Sequence, residues 1–153
     1  MDLTRVVSLW EEHHGPLDAH MGSENGEFFS RESGILLAEV VTVEDRDGVL
    51  LVGVDAGWNV FNLRFIFGQQ SPLVLCRDVF GASARPVTVA GNINQGTDLF
   101  AEDWPLPEVR EGDIIAVLAA GAYAQAASLD THCLRPHARA VFFDDRLPDD
   151  DPV

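Results

Sequence analysis

The chain has 153 residues, 46% of them apolar and 23% charged, with a formal net charge of −15. That size and balance fit one compact, soluble globular domain with a substantial core. The charge argues against nucleic acid and anionic membranes, whose phosphates it repels, and no apolar run reaches the roughly 18 residues of a transmembrane helix.

The first stretch, MDLTRVVSLWEEHHG, carries early acids and no cleavage site, so it does not read as a secretory signal. It reads instead as an amphipathic helix over residues 2 to 14. Leu3, Val6, Val7 and Trp10 share one face, Asp2 caps the start, and Gly15-Pro16 ends it. A short extended piece, LDAHMG, and a turn, SENGE, follow. From Gly34 the pattern becomes that of strands. ILLAEVVTVE and VLLVGVD flank DRDG, a hairpin signal whose glycine suits the turn. PLVLC, RPVTVAG, DIIAVLAA and RAVFF are further expected strands, separated by Gly, Pro, Asp and Asn clusters. The closing DDRLPDDDPV reads as a solvated, disordered acidic tail. The expected fold is mainly β, a barrel or sandwich preceded by one helix and one strand.

Two compositional features bear on chemistry. The chain has ten arginines and no lysine, a bias that coding preference or a salt-adapted host would each produce. Cys76 and Cys133 lie far apart without CxxC spacing, which fits a reduced, cytoplasmic setting better than a disulfide scaffold. His13 and His14 are adjacent on a helix, about 100° apart, and do not converge on a metal. His132, Cys133 and His137 lack further ligands, so no metal site is expected. The only tyrosine, Tyr123, stands in GAYAQA. Neighbours that small point to a backbone brought close to something.

Several stretches, in order, resemble the C-terminal part of the fold-type III pyridoxal-phosphate-dependent decarboxylases, the diaminopimelate and ornithine decarboxylase family. MGSENGEFF (21 to 29) resembles the family's E-P-G-R glycine turn after the last barrel strand. SGILLAEV and VDAGWN resemble the strands that follow. VAGNINQGTDLFAEDWPLPEVREGDIIAVLAAGAYA (89 to 124) resembles its G-P-x-C-E-S-x-D segment, L-P and G-D turns and G-A-Y motif. HCLRPHARAVFF resembles the closing strand. The resemblance implies a Greek-key β domain over 34–143, a remnant of the last helix, strand and glycine turn of a (β/α)8 barrel over 1–33, and a tail over 144–153. In that family the barrel carries the cofactor and the β domain completes the active site, partly across a dimer interface.

The resemblance also assigns roles. Glu24 matches the glutamate that pairs with the pyridine nitrogen, and Gly26 belongs to the phosphate-binding turn. Asn25 replaces the proline and Glu27 stands at the arginine position, where a carboxylate faces a phosphate dianion unfavourably. Without a partner, SENGE is equally readable as a surface turn. Asn94 takes the place of the proton-donating cysteine and Gln95 that of the amine-recognising glutamate, while Asp98 is retained. An amide has no proton to transfer near neutral pH, and Gln95 brings no charge to attract an ammonium. The implied substrate therefore lacks the usual distal charged amine, or the site has decayed. Tyr123 matches the tyrosine that approaches the cofactor; a half-buried strand-end tyrosine reads equally well. Arg64 lies near the family's substrate-binding arginine, but the spacing puts Leu63 at that position and Phe67 at the tyrosine. A one-residue shift along a strand reverses the face, so a solvent-facing Arg64 is the plainer expectation.

Anchoring pyridoxal phosphate takes a lysine amine, and this chain has none. The first expectation is thus a β-domain subunit or fragment of an amino acid decarboxylase, needing a barrel-bearing chain and binding no cofactor alone. The second is a non-catalytic binding or dimerisation module. In either, the unmated helix seeks cover for Leu3, Val6 and Trp10, so a homodimer or larger self-assembly is expected. A cofactor-independent enzyme reusing the barrel cavity, with Asp98 or Tyr123 as acid–base groups, is the third.

Overall fold

The structure is a computed structural model, and it describes residues 3–15, 26–129 and 132–143. The expected LDAHMG strand, the SENGE turn up to residue 25, the Asp2 cap and the acidic tail lie outside those residues.

Helix α1 spans Leu3–His14, as the apolar periodicity requires, and Gly15 ends it at φ 67° with its N–H donated to Glu11. Its apolar face is uncovered: Val6 and Trp10 are 50% and 42% exposed. A second, short helix, α2 (Gly26–Ser30), leads through a 3-10 turn at Arg31–Ser33 into the sheet.

Six strands make one sheet. They are β1 (Leu36–Arg46), β2 (Val49–Val54), β3 (Leu73–Leu75), β4 (Arg85–Ala90), β5 (Leu99–Leu106) and β6 (Ile114–Val117). Their order is β3-β6-β1-β2-β4-β5. The hairpin β1–β2 turns at Asp47 and Gly48, both at positive φ, as DRDG predicts. β1 is shared between two half-sheets: residues 36–39 pair with β6, and Val40 onward pairs with β2, with a register shift between Val40 and Thr42. That irregularity lets one strand bend around the core. β2 and β4 run parallel. The two end strands meet where Trp104 Nε1 donates to the Leu73 carbonyl at 2.9 Å, so the sheet is nearly closed into a barrel. Inside it lie Val40, Val52, Val54, Leu75, Val87, Val89, Leu106 and Ile115, each almost wholly buried.

Four local expectations are corrected. β5 has no counterpart in the sequence reading. Its alternation is broken by a bulge, where Trp104 pairs with Val87 but Ala101 pairs with Val89, and Asp103 takes a φ of 50°. Pro105 is tolerated because β5 is an end strand. PLVLC contributes only Leu73–Leu75, since Cys76–Asp78 turn into a 3-10 helix. The run around Arg64 is not a strand but helix α3, Leu63–Phe67, ended by Gly68 at φ 64°. RAVFF forms no strand: residues 139–143 belong to no ladder.

Candidate functional site

The tight neighbours of Tyr123 have a structural cause. After β6 the chain turns through Ala119 and Tyr123, both in the left-handed region at φ 56° and 59°. The turn is pinned backbone to backbone against the 30–34 segment: Ala120 N–H donates to Gly34 O at 2.8 Å, and Gly121 N–H donates to Arg31 O at 2.9 Å. A methyl on Gly121 would collide with the Ser30 carbonyl and lie 2.6 Å from Ser33 Oγ. Only glycine lets the two chains come this close. The phenol that follows is thereby carried to Gly26, where an added Cβ would stand 2.7 Å from Tyr123 Oη. Phe67, at the end of α3, meets the other side of the ring, with centroids 6.0 Å apart. Gly26, Phe67 and Tyr123, far apart in sequence, form one cluster. Tyr123 remains 48% exposed.

Glu27 sits beside this cluster and is not free. Arg31 lies 3.1 Å from Glu27 Oε1, and Gln69 Nε2 donates to Glu27 Oε2 at 3.1 Å. Neither partner was singled out in the sequence. The Glu27–Arg31 spacing of one helical turn is a readable signal once α2 and the turn after it are known. The contact with Gln69, 42 residues on, has no local sequence signature.

Arg64, one turn before Phe67 on α3, leaves the cluster and pairs with Glu102 of β5 at 2.5 Å. It is a partly buried ion pair rather than a free surface charge. Arg64 and Glu102 line a shallow groove with Gly96 and Thr97. Helix α3 therefore connects the Tyr123 cluster, through Phe67, with the 94–98 turn, through Arg64.

Asn94 and Gln95 are exposed on that turn, whereas Asp98 is buried, 3% exposed. Asp98 holds the turn's shape. Its Oδ2 accepts the Ile93 N–H at 2.8 Å, and its backbone N–H donates to Gln95 O at 3.0 Å. Gly57 and Gly91 leave room for the carboxylate, and the Trp58 N–H also faces it. Burial pushes the Asp98 carboxyl up to about 6, against the opposing pull of the Ile93 and Trp58 amides and of His132. Next to it, the half-buried Asn92 side chain donates to the Asp55 carbonyl, and Trp58 packs on Phe65 with centroids 4.5 Å apart. Asp98 thus stands behind Asn94 and Gln95, away from solvent. Glu24 lies outside the described residues.

These residues by themselves do not fit pyridoxal phosphate. The chain has no lysine amine, and the group next to Gly26 is the Glu27 carboxylate, already satisfied by Arg31 and Gln69. Among the described residues, the donor set needed for a phosphate dianion is not assembled there.

Residues 6–121 match the family model described as "Pyridoxal-dependent decarboxylase, C-terminal sheet domain". The chain belongs to this decarboxylase family, as its sheet domain. Among curated proteins, the diaminopimelate decarboxylase of Methanothermobacter thermautotrophicus is 33% identical over 101 residues, covering 66% of this chain and 23% of that protein. Among solved structures, diaminopimelate decarboxylase from Helicobacter pylori complexed with L-lysine matches with a TM-score of 0.72 at 25% identity, covering 86% of this chain and 32% of that one. The lysine/ornithine decarboxylase of Vibrio vulnificus complexed with cadaverine shares the fold, with a TM-score of 0.69 at 23% identity over 89% of this chain and 35% of that one. The chain spans about a third or less of the length of these three relatives. No helix among the described residues of this sheet domain is long and apolar enough to cross a membrane.

Proposed function

We propose that this chain is the sheet-domain component of a cytoplasmic, diaminopimelate decarboxylase-like enzyme, inactive alone and completed by a barrel-bearing polypeptide. The carrying observation is the absence of lysine from all 153 residues in a chain whose family depends on pyridoxal phosphate. The cofactor's aldehyde is held by an amine, so that amine comes from outside these 153 residues, in this reading from the barrel-bearing polypeptide. In this reading Tyr123, Gly26 and Phe67 make the wall turned to the partner's cofactor. Gln95 and Asn94, presented by the turn that Asp98 fixes, meet the amino acid substrate. Arg64, bound to Glu102, shapes the groove next to them, and Glu24 takes the pyridine nitrogen. A second copy is the alternative partner, through the uncovered face of α1.

The test is release of carbon dioxide from meso-diaminopimelate with added pyridoxal phosphate. The purified chain is expected to give none, and the chain reconstituted with a barrel-bearing chain from its native host to give turnover. Turnover by the purified chain alone would overturn the proposal. One observation favours a second reading, a binding or dimerisation module: Glu27 fills the cationic position and is itself tied down. Failure of every barrel-bearing chain to restore turnover, with stable self-association at micromolar concentration, supports that reading instead.

A further inference from the structure

The turn that carries Asn94 and Gln95 is built around one buried carboxyl. Asp98 Oδ2 accepts the Ile93 N–H at 2.8 Å, its backbone N–H donates to Gln95 O at 3.0 Å, and its carbonyl accepts the Gly91 N–H at 2.8 Å. The Gln95 N–H closes the inner part of the loop onto Ile93 O at 2.7 Å. Asp98 thus fastens both ends of the loop between β4 and β5, while Asn94, Gln95, Gly96 and Thr97 stand outward in solvent.

Asn92 is the carboxyl's neighbour. Its Nδ2 donates to the Asp55 carbonyl, which fixes the amide: only the nitrogen can serve a carbonyl, so Oδ1 is the atom turned the other way. That Oδ1 is enclosed and accepts no hydrogen bond from any described residue. It flanks the same space as the Asp98 carboxyl, because a Cβ on Gly57 would stand 2.8 Å from Asn92 Oδ1 and 2.5 Å from Asp98 Oδ2. An ionised carboxyl has no donor to offer, and an acceptor left unpaired out of water is unfavourable. A proton on the carboxyl removes the conflict, since the resulting O–H is the donor that Asn92 Oδ1 lacks. Burial favours that proton and raises the carboxyl to about 6, while the Ile93 and Trp58 amides and His132 oppose it. The other charged groups nearby are engaged elsewhere. The Asp55 carboxylate accepts the Glu39 N–H at 2.8 Å, and Arg64, beyond Thr97, is paired with Glu102.

We propose that Asp98 carries a proton, donates it to Asn92 Oδ1, and so forms with Asn92 a pH-sensitive latch on the turn that presents Asn94 and Gln95. With the proton in place, hydrogen bonds run without a break from Asp98 through Asn92 to the Asp55 carbonyl, just past the end of β2. Asp55 is bound on to Glu39 of β1, its N–H donating to Glu39 O at 3.0 Å and its Oδ1 accepting the Glu39 N–H at 2.8 Å. The exposed turn is thereby tied to the sheet. When the proton leaves, carboxylate and amide oxygen repel each other in surroundings that screen them poorly. Relief comes from turning the Asn92 side chain or shifting the loop it holds, so the turn has one position in mild acid and another above neutrality. What this does to substrate binding rests on the decarboxylase reading; the latch itself does not, and it is tested without turnover.

Nuclear magnetic resonance spectra of the full chain, recorded between about pH 4 and about pH 8, provide the test. In the wild type the Asn94 and Gln95 amides and the Asn92 side-chain amide are expected to move together with one midpoint near 6. In Asp98→Asn an amide stands in for the carboxylic acid: it does not ionise, and its nitrogen still donates to Asn92 Oδ1. All three signals are expected to stay put across the range in that variant. Should Asp98→Asn not fold, Asn92→Leu removes the acceptor while keeping the site apolar, and the Asp98 carboxyl is then expected to lose about tenfold in proton affinity. Signals that do not titrate in the wild type overturn the proposal. So does a titration that persists in Asp98→Asn, which assigns it to His132, or a carboxyl midpoint that is unmoved or raised in Asn92→Leu.

Discussion

The hydroxyl of Tyr123 occupies the space that a side chain on Gly26 would fill, 2.7 Å from the position of its Cβ. Two motif residues nearly a hundred positions apart are therefore mutually exclusive in volume. Gly26→Ala is expected to swing the phenol away at little expense to the fold, because the ring is half exposed and rotates freely into solvent. Stability falls by about 1 kcal/mol or less. The shift of the single labelled tyrosine in nuclear magnetic resonance spectra reads the displacement, and an unchanged shift would show that the two groups do not compete for this space.

Gly121→Ala is expected to be far more damaging. Its methyl meets the Ser30 carbonyl, a backbone atom fixed by the turn before β1, so relief requires the two segments to part. Overpacking of this kind lowers stability by about 1–3 kcal/mol, and urea denaturation measures it. An unchanged midpoint would remove the close-approach explanation of the motif.

Asp98 makes stability depend on pH in an unusual direction. Its carboxyl is raised from 3.8 to about 6 in the folded chain, so between those values the folded state holds the proton more tightly than the unfolded state. The contribution is fully present below about pH 4 and is lost as pH rises to about 6. Asp98→Asn cannot ionise and lacks this slope. On lowering the pH from 7 to 4, the difference between wild type and variant moves in the wild type's favour by roughly 2–3 kcal/mol. Parallel curves for the two proteins would show that burial does not perturb this group.

Asp113 supplies the opposite sign. The Arg77 guanidinium, donating from Nε and Nη2 at 2.8 and 2.9 Å, holds its carboxyl below the ordinary 3.8, with help from the Arg110 N–H and against the effect of burial. Its stabilisation is present above the ordinary value and disappears as pH falls through the lowered one. Asp113→Asn therefore lowers the thermal midpoint at pH 7, and the gap to wild type closes in strong acid.

Trp104→Phe tests the closure of the barrel. Removing the indole N–H leaves the Leu73 carbonyl without its donor, with an expected loss of about 0.5–1.5 kcal/mol. Faster exchange of the β3 amides, with the β1–β2 hairpin unchanged, would place the effect at the seam between the end strands.

Much of this architecture was readable in the residues. The α1 periodicity, the DRDG hairpin and the runs that became β4 and β6 are local patterns, and local patterns survive folding. β5 was not readable because its bulge at Asp103 breaks the alternation on which strand recognition depends. NVFNLRFIFG misled because a short apolar run carries no period; the left-handed Gly68 decides it, and that conformation appears only in three dimensions. RAVFF has strand composition but lies beside an edge without pairing to it. In the candidate site, the meaning of small residues around Tyr123 was legible as a demand for close approach. Their target was not, because it depends on where the 30–34 segment passes. The tie between Glu27 and Gln69 joins residues whose types give no hint of each other.

The parallel pairing of β2 with β4 has a kinetic corollary. A hairpin such as β1–β2 closes through two residues and can form within microseconds, but a parallel neighbour has to wait until the whole excursion from Asp55 to Ala84, including α3 and β3, has been laid down. Contacts that span so much chain are slow to form because loop entropy is lost before they repay it. A pulse-labelling trace of the Val87–Val89 amides is therefore expected to lag that of Val43 and Val52, and the β6 amides, whose Val117 pairs with Leu36 across a still longer stretch of chain, to lag further.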